Sequence, residues 1–291
     1  MQNKDQQRTE HPSTYFVQDR ANLDELARLT VQDRMLTLAM GGVLAEQPDP
    51  TLLQRVLDVG CGTGNWLLEV AREYPTISLL IGVDISGKML DYGREQATTQ
   101  GVADRVEFHV MDALRMLEFP SSFFDLVNLR LGVGYLRKWD WPKLIDEFKR
   151  VTRPGKVIRF TEGDIAPASN SPALTRLFDL QIEALINAGN LFEPGDRGIA
   201  DKIAGLLERA GLEDVQTHTY KAEYQPGSVA AQYLIEDFQR LFRTITPFLR
   251  KWTHLPDDYD ELYQQMTSEI IQPDFWIGGS GIITTWGKVP L

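Results

Sequence analysis

The chain has very little of the residue chemistry that forms disulfides and metal centres. Cys61 is the single cysteine among 291 residues, and a lone thiol excludes an intramolecular disulfide. The four histidines (His11, His109, His218 and His254) show none of the close spacings of a zinc site. We therefore predict no metal and a reducing, cytoplasmic location.

The sequence also lacks long apolar runs and clusters of basic residues. No stretch approaches the roughly 18 apolar residues that span a bilayer, and the first ten residues are too polar for a secretory signal. The formal net charge is −11, whereas binding to nucleic acids depends largely on lysine and arginine that neutralise phosphates. We therefore expect neither a membrane nor a nucleic acid as partner.

What the chain does have is an apolar strand that runs into a glycine loop. Residues 56–59 are apolar except for Asp58, as expected for a parallel strand covered by helices on both faces. Gly60, Gly62 and Gly64 follow, so few side chains separate a ligand from the main chain. Asn65 stands where a dinucleotide fingerprint has its third glycine. Taken alone, this segment could also be a plain turn.

The pattern acid-x-Gly-x-Gly-x-Gly resembles the first motif of the class I S-adenosylmethionine-dependent methyltransferases, with Asp58 as the acid. Within that class, the domain resembles the ubiquinone and menaquinone biosynthesis C-methyltransferases. Four later segments match in order, and the resemblance covers roughly residues 52–162. Their strands are 79–84, 106–113, 124–130 and 156–162, the last preceded by Arg-Pro-Gly at 153–155. The family commonly has Arg-Pro-Gly-Gly at this point, and Lys156 replaces the second of these glycines. The resemblance therefore does not predict the geometry of the turn before this strand.

This resemblance implies an α/β fold, namely a Rossmann-like doubly wound sheet of seven strands whose last strand is antiparallel, with helical lid insertions. It also implies S-adenosyl-L-methionine as the cofactor. The domain prediction is an N-terminal arm and cap helix at 1–50 and a methyltransferase domain at 51–291. Insertions are expected at about 165–195 and 227–275. Periodicity predicts helices at 22–40, 171–188 and 197–210, a strand near 215–224 and a final strand at 281–287.

Two acids at strand ends are implied to hold the nucleoside. Asp84 lies about 20 residues after the glycine loop, and its two oxygens can accept hydrogen bonds from both hydroxyls of a ribose. It could instead cap the helix that follows Ser86. Asp112 matches the acid that accepts from the adenine amino group, with Met111 and Ala113 beside the ring. It could equally cap a turn.

The predicted cofactor-binding set combines the loop with these strand ends. Its members are Asp58, Gly60, Cys61, Gly62, Gly64, Asn65, Asp84, Ile85, Met89, Met111, Asp112, Ala113 and Asn128.

Three residues are predicted to be catalytic. Arg130 follows the fourth strand and could hold an anionic acceptor or form a structural ion pair. Glu162 ends the fifth strand and could orient or deprotonate an acceptor, or it could be a solvated loop acid. Tyr15, next to Phe16 on the N-terminal arm, could reach over the methionine end of the cofactor.

The expected reaction is methyl transfer to an oxygen, nitrogen or carbon atom of a small, apolar or aromatic metabolite. The fourth strand ends in Asn-Leu-Arg at 128–130 and lacks the Pro-Pro-aromatic sequence of amide and nucleobase N-methylating enzymes.

An aromatic-rich segment at 227–272 is either plain core or a lid over an apolar pocket. The alternative is a non-methylating protein, or an enzyme of another reaction type, that binds S-adenosylmethionine on the same fold. A homodimer is possible in either case. A short-chain dehydrogenase is disfavoured, because no tyrosine lies four residues before a lysine.

Overall fold

The computed structural model describes Tyr15 and residues 23–193, 195–196, 198–221, 227–278 and 281–291. Three of the predictions above lie partly outside the described residues. They concern most of the N-terminal arm with Phe16, the helix start at Arg197 and the strand end at 222–224.

Nine strands and nine α-helices occur in the described part of the chain. The strands are β1 (Arg55–Val59), β2 (Leu79–Asp84), β3 (Val106–Val110), β4 (Phe124–Arg130), β5 (Thr152–Gly163), β6 (Ala168–Ser169), β7 (Glu213–Tyr220), β8 (Ile277–Gly278) and β9 (Ile282–Lys288). The helices are α1 (Leu23–Met40), α2 (Asn65–Glu73), α3 (Gly87–Thr99), α4 (Trp141–Val151), α5 (Pro172–Ala188), α6 (Ala200–Arg209), α7 (Val229–Thr244), α8 (Thr246–Trp252) and α9 (Tyr259–Glu269).

Seven of the strands form one mixed sheet in the order β3-β2-β1-β4-β5-β9-β7. The first five are parallel, whereas β9 pairs antiparallel with both β5 and β7. This confirms the predicted Rossmann-like sheet with its antiparallel last strand. The strand order reverses between β1 and β4, and ligands of open α/β sheets bind outside the carboxyl ends of the strands at such a point.

The central strands are buried because helices cover both faces of the sheet. Leu57 and Val59 of β1 belong to one apolar cluster, and Val56 belongs to the other. Side chains alternate between the two faces along a strand, so Asp58 lies on the same face as Val56. The single acid of this strand is thus almost fully buried, at 3% exposure.

Two strand boundaries differ from the prediction. β3 ends at Val110, before Asp112, because the Asp112 carboxylate caps a turn by accepting from Leu114 N at 2.9 Å. β5 begins at Thr152 and includes the Arg-Pro-Gly segment that was predicted as a turn. Gly155, at φ +72°, donates from N to Val289 O at 2.7 Å, which keeps this segment paired with the chain that follows β9.

The helices α1, α5, α7, α8 and α9, called the added helices below, lie outside the segment that resembles a methyltransferase and pack together beside the carboxyl ends of the strands. α1 packs on α7, and α5 packs on α8 and α9. Ser171 caps α5 and Gly189 ends it in the left-handed conformation, at φ +84°. None of the helices in the described ranges is both long and apolar enough to cross a bilayer.

Candidate cofactor and acceptor site

A cavity of about 330 Å³ opens at the carboxyl ends of β1, β2 and β4. The glycine loop and the segments after β2 and β3 form one side of it. Side chains of α1, α5 and α7 form the other side. The sheet therefore supplies the part that the motifs predict, and the added helices supply the remaining wall.

The glycine loop needs its glycines for conformation and for packing. Gly60, Gly62 and Gly64 have φ of +68°, +55° and +74°, in the left-handed region that side chains disfavour. A Cβ at Gly60 would lie 2.2 Å from Tyr135 Oη, and one at Gly64 would lie 2.4 Å from Phe108 Cε1. The Gly60 and Gly62 backbones border the cavity, whereas Gly64 starts α2 against Phe108.

Asp84 ties the glycine loop to the start of α3. Its Oδ2 accepts from Gly62 N at 3.0 Å, and its Oδ1 accepts from Ser86 N at 2.8 Å. Asp84 also borders the cavity. The carboxylate therefore caps the turn before α3, as the alternative expects, and belongs to a residue that lines the cavity.

Asp58 is held by a polar chain that crosses the sheet. Asn128 Nδ2 donates to Asp58 Oδ1 at 2.8 Å, and Arg159 Nη1 donates to Asn128 Oδ1 at 2.7 Å. Arg159 Nε in turn donates to Glu46 Oε1 at 2.6 Å. Burial raises the pKa of Asp58 to about 6. Asn128 thus orients Asp58 and does not itself border the cavity.

Arg130 forms a buried ion pair with Asp33 of α1. Its guanidinium also lies 5.5 Å from the ring centroid of Trp66, within the range of a cation–π contact. Both members of the pair border the cavity. Asp33 Oδ2 and Arg130 Nε have no hydrogen-bond partner among the described residues.

Glu162 supports a strained segment behind the cavity. Its fully buried Oε1 accepts from Gly132 N at 2.6 Å, next to Leu131, which has φ +54°. Leu131 and Val133 border the cavity, whereas Glu162 is not one of the residues that line it. Burial raises the pKa of Glu162 to about 8, so the carboxyl group is mainly protonated near pH 7. The solvated-loop alternative for this residue is therefore wrong.

Tyr15 belongs to a buried polar network that joins α1 to α7. Tyr15 Oη donates to Glu25 Oε1 at 2.7 Å, and Arg28 Nη2 donates to the same oxygen at 2.8 Å. Arg28 Nη1 donates to Asp237 Oδ1 at 3.0 Å, and Thr244 Oγ1 donates to Glu25 Oε2 at 3.2 Å. Tyr15, Arg28 and Asp237 all border the cavity.

Comparison with known proteins identifies the segment that carries the glycine loop. Residues 56–155 match a family model described as a methyltransferase domain. This segment is a class I S-adenosylmethionine-dependent methyltransferase domain. The match begins after α1 and ends before α5 and α7, the helices that form the other side of the cavity.

Two curated relatives share this domain. Demethylmenaquinone methyltransferase of Lactiplantibacillus plantarum is 38% identical over 100 residues, which cover 34% of this chain and 41% of that protein. The enzyme of the same name from Lysinibacillus sphaericus is 28% identical over 189 residues, covering 60% of this chain and 75% of that protein. The chain thus spans well under half the length of the first of these relatives.

A solved structure extends the likeness to nearly the whole chain at the level of fold. Haemonchus contortus phosphoethanolamine N-methyltransferase 2, in complex with phosphomonomethylethanolamine and S-adenosylhomocysteine, superposes with a TM-score of 0.58 at 19% identity. The match covers 95% of this chain and 60% of that one. At this identity the likeness shows a shared fold.

The cavity brings together most of the residues that the methyltransferase motifs predict for the cofactor. Those that border it are Asp58, Gly60, Cys61, Gly62, Asn65, Asp84, Ile85, Met89, Met111, Asp112 and Ala113. Gly64 and Asn128 stand behind it, and of the predicted catalytic residues Tyr15 and Arg130 border it whereas Glu162 does not. Whether these residues bind cofactor or act in catalysis stays a prediction.

Sequence reasoning missed the polar residues that the added helices place around the methyltransferase domain. Arg28 and Asp33 of α1, Gln181 of α5 and Asp237 of α7 all border the cavity and are almost fully buried. A signal was available for Asp33, Gln181 and Asp237, because each lies three residues from a buried apolar residue of its helix, namely Leu36, Phe178 and Leu234. A polar residue on the buried stripe of a helix needs a partner and therefore indicates a site.

Proposed function

We propose that this protein binds S-adenosylmethionine in the cavity and transfers its methyl group to an oxygen, nitrogen or carbon atom of a small, largely apolar molecule. One observation carries the proposal: the glycine loop and three aspartates, Asp58, Asp84 and Asp112, open on a single cavity. Asp58 lies in β1, Asp84 ends β2 and Asp112 follows β3, and these three strands are neighbours in the sheet. The methyltransferase domain at 56–155 contains all of them.

The polar groups of the cavity fit the parts of this cofactor. Asp84 brings a carboxylate, a group that can accept from ribose hydroxyls, to the cavity wall, and Asp112 with Met111 offers a polar edge and an apolar face to adenine. Asp33 Oδ2 and Arg130 Nε, which lack hydrogen-bond partners among the described residues, offer an acceptor and a donor to the charged ends of a methionine. The cofactor supplies an electrophilic methyl group on a positively charged sulfur.

The remaining wall favours an acceptor without negative charge. Apart from aspartates, the ionisable side chains of the described lining are Arg28, Arg130, Cys61, Tyr15 and Tyr135. Both arginines are already paired with buried aspartates, and the remaining donor of Arg130 is assigned above to the methionine of the cofactor, so neither arginine is left to neutralise a phosphate or carboxylate of the acceptor. The apolar wall excludes water and holds the acceptor near the methyl group, which is how proximity lowers the barrier of a bimolecular transfer.

The first test measures binding of S-adenosylmethionine by isothermal titration calorimetry. We expect the wild-type protein to bind it and Asp84→Asn to weaken binding by about tenfold or more, because an amide cannot accept from two hydroxyls as a carboxylate does. Asp91→Asn is the matched control, since Asp91 is exposed on α3 and its partner Arg94 lies on the surface. Absence of binding to the wild-type protein would contradict the proposal.

The second test separates methyl transfer from cofactor binding alone. Protein with methyl-labelled cofactor is incubated with a panel of hydroxylated, amino-substituted and quinonoid aromatic compounds, and both labelled product and S-adenosylhomocysteine are measured. We expect product only with compounds that lack a phosphate or carboxylate. Tight binding without transfer to any compound would favour the non-methylating alternative.

A further inference from the structure

The part of the cavity wall that comes from α5 is apolar except at one position. Phe178, Gln181 and Leu185 border the cavity and share one helix face, because they are three and four residues apart. Across from them, Phe238 of α7 meets Phe178 edge to face, with ring centroids 5.4 Å apart. Leu241, also of α7, continues this apolar surface. Gln181 is thus set among aromatic and aliphatic side chains.

The amide oxygen of Gln181 is buried but makes no hydrogen bond that would explain an amide at this position. The residue is 5% exposed, and its Oε1 has no hydrogen-bond partner among the described residues. A buried amide oxygen without a partner is unfavourable, and a leucine would satisfy this position on an apolar helix face at no such cost. The position therefore calls for a hydrogen-bond donor that enters from the cavity.

The other polar groups of the helical wall have partners within the protein or are assigned above to the cofactor. Asp237 pairs with Arg28 and is hydrogen-bonded to the neutral Gln32, whereas Asp33 pairs with Arg130 through Oδ1 and offers Oδ2 to the methionine. Gln181 differs from the aspartates in being neutral and from Gln32 in that neither a protein group nor the cofactor accounts for its oxygen. A neutral amide can recognise a polar group without adding charge to the apolar end of the cavity.

We propose, resting on the function proposed above, that Gln181 recognises the methyl acceptor by accepting a hydrogen bond from a hydroxyl group on an otherwise apolar molecule. Rotation about the last bond of the side chain can present the amide oxygen to the cavity. The apolar body of the acceptor then lies against Phe178 and Phe238. Gln181 is in this way a determinant of acceptor specificity that lies outside the methyltransferase domain segment at 56–155.

The test compares two probes that differ by one hydroxyl group, 2-naphthol and naphthalene. Their binding is measured by equilibrium dialysis in the presence of S-adenosylhomocysteine, whose own affinity is measured separately by calorimetry. We expect the wild-type protein to prefer 2-naphthol by about tenfold, as sites built for a hydroxyl group reject analogues without it. Gln181→Leu should bring the ratio of the two affinities close to one and leave the affinity for S-adenosylhomocysteine unchanged.

Gln232→Leu provides the matched control, because Gln232 is exposed on α7 and does not border the cavity. This control should keep the wild-type ratio. A Gln181→Leu protein that keeps the preference overturns the inference, and so does a wild-type protein that binds the two probes equally or binds neither. If the wild-type protein fails to bind S-adenosylhomocysteine, the proposed function falls as well, so the two failures are distinguishable.

Discussion

Single residues show how the glycine loop depends on backbone conformation as well as on space. Gly64 and Gly101 both have positive φ, at +74° and +69°. A Cβ at Gly64 would meet the Phe108 ring, whereas one at Gly101 would have no atom within 4 Å. Comparing an alanine substitution at the two positions therefore separates the free-energy cost of the backbone conformation from the cost of the steric contact.

We expect Gly64→Ala to lower the free energy of unfolding by about 2–5 kcal/mol, since it adds overpacking to backbone strain. Gly101→Ala should cost only about 1 kcal/mol, the conformational part. Urea denaturation followed by circular dichroism measures both values. Similar costs for the two variants would show that the contact with Phe108 relaxes easily.

The buried carboxyl group of Glu162 is expected to make the stability of the protein depend on pH. The pKa of its carboxyl group rises to about 8 in the folded protein, from an ordinary value of 4.5, because the group is buried. Between these values the folded chain holds a proton that the unfolded chain has lost, so stability must fall as the pH rises. The stability that this group contributes is fully present below about pH 4.5 and is lost as the pH passes through 8.

Glu162→Gln should remove this dependence, since the amide keeps an acceptor for Gly132 N and does not titrate. From pH 6.5 to 7.5 we expect the unfolding free energy of the wild-type protein to fall by about 1.2 kcal/mol relative to the variant. This interval avoids most of the titration of Asp58, whose pKa is about 6. Glu95→Gln, at an exposed position of α3, is the control. Parallel pH profiles for the wild-type and Glu162→Gln proteins would contradict the prediction.

At the scale of secondary-structure elements, the sequence predicts the sheet better than it predicts the helical wall. β2 and β4 lie where the sequence analysis places them, at 79–84 and 124–130, because segments dominated by apolar residues are typical of buried parallel strands. The helix predicted at 22–40 is α1. The partners of α1 could not be predicted, because the bond from Arg28 to Asp237 joins residues 209 positions apart.

That bond belongs to a buried cluster in which one cation faces two acids. Glu25 is 0% exposed, Arg28 is 1% exposed and Asp237 is 4% exposed. Removing the cation leaves two carboxylates buried and close together, whereas replacing one acid by its amide keeps an acceptor for Arg28 Nη1. The two kinds of substitution are therefore expected to differ sharply in their effect on stability.

We expect Arg28→Met to destabilise the protein by about 3–5 kcal/mol, the usual cost of an uncompensated buried charge. Asp237→Asn should change the free energy of unfolding by only about 1 kcal/mol, because its bond to Arg28 is kept and the excess negative charge is removed. Guanidinium titrations of both variants and the wild-type protein measure the difference. Equal losses would show that the cluster acts through packing between α1 and α7 and not through charge.

For the whole molecule, the acidity evident in the net charge of −11 is also present at the site. Six aspartates and two arginines border the cavity within the described residues, the aspartates being Asp33, Asp58, Asp84, Asp112, Asp164 and Asp237. An acidic cavity favours a cationic occupant and opposes an anionic one. S-adenosylmethionine carries one more positive charge than S-adenosylhomocysteine, so the two compounds form a matched pair for testing this field.

We expect the wild-type protein at pH 7.5 to bind S-adenosylmethionine about threefold to tenfold more tightly than S-adenosylhomocysteine, the scale of one favourable interaction between partly screened charges. The preference should shrink at pH 5.5, because Asp58, with a pKa of about 6, becomes mainly neutral there. The amino and carboxylate groups of the two compounds are the same, so their titration largely cancels in the ratio of affinities.

Asp58→Asn should make the ratio independent of pH over this interval, and 0.5 M sodium chloride should reduce it through screening. Calorimetric titrations at both pH values give the ratio directly, and a wild-type ratio that does not change with pH would show that Asp58 does not contribute to the charge preference of the cavity.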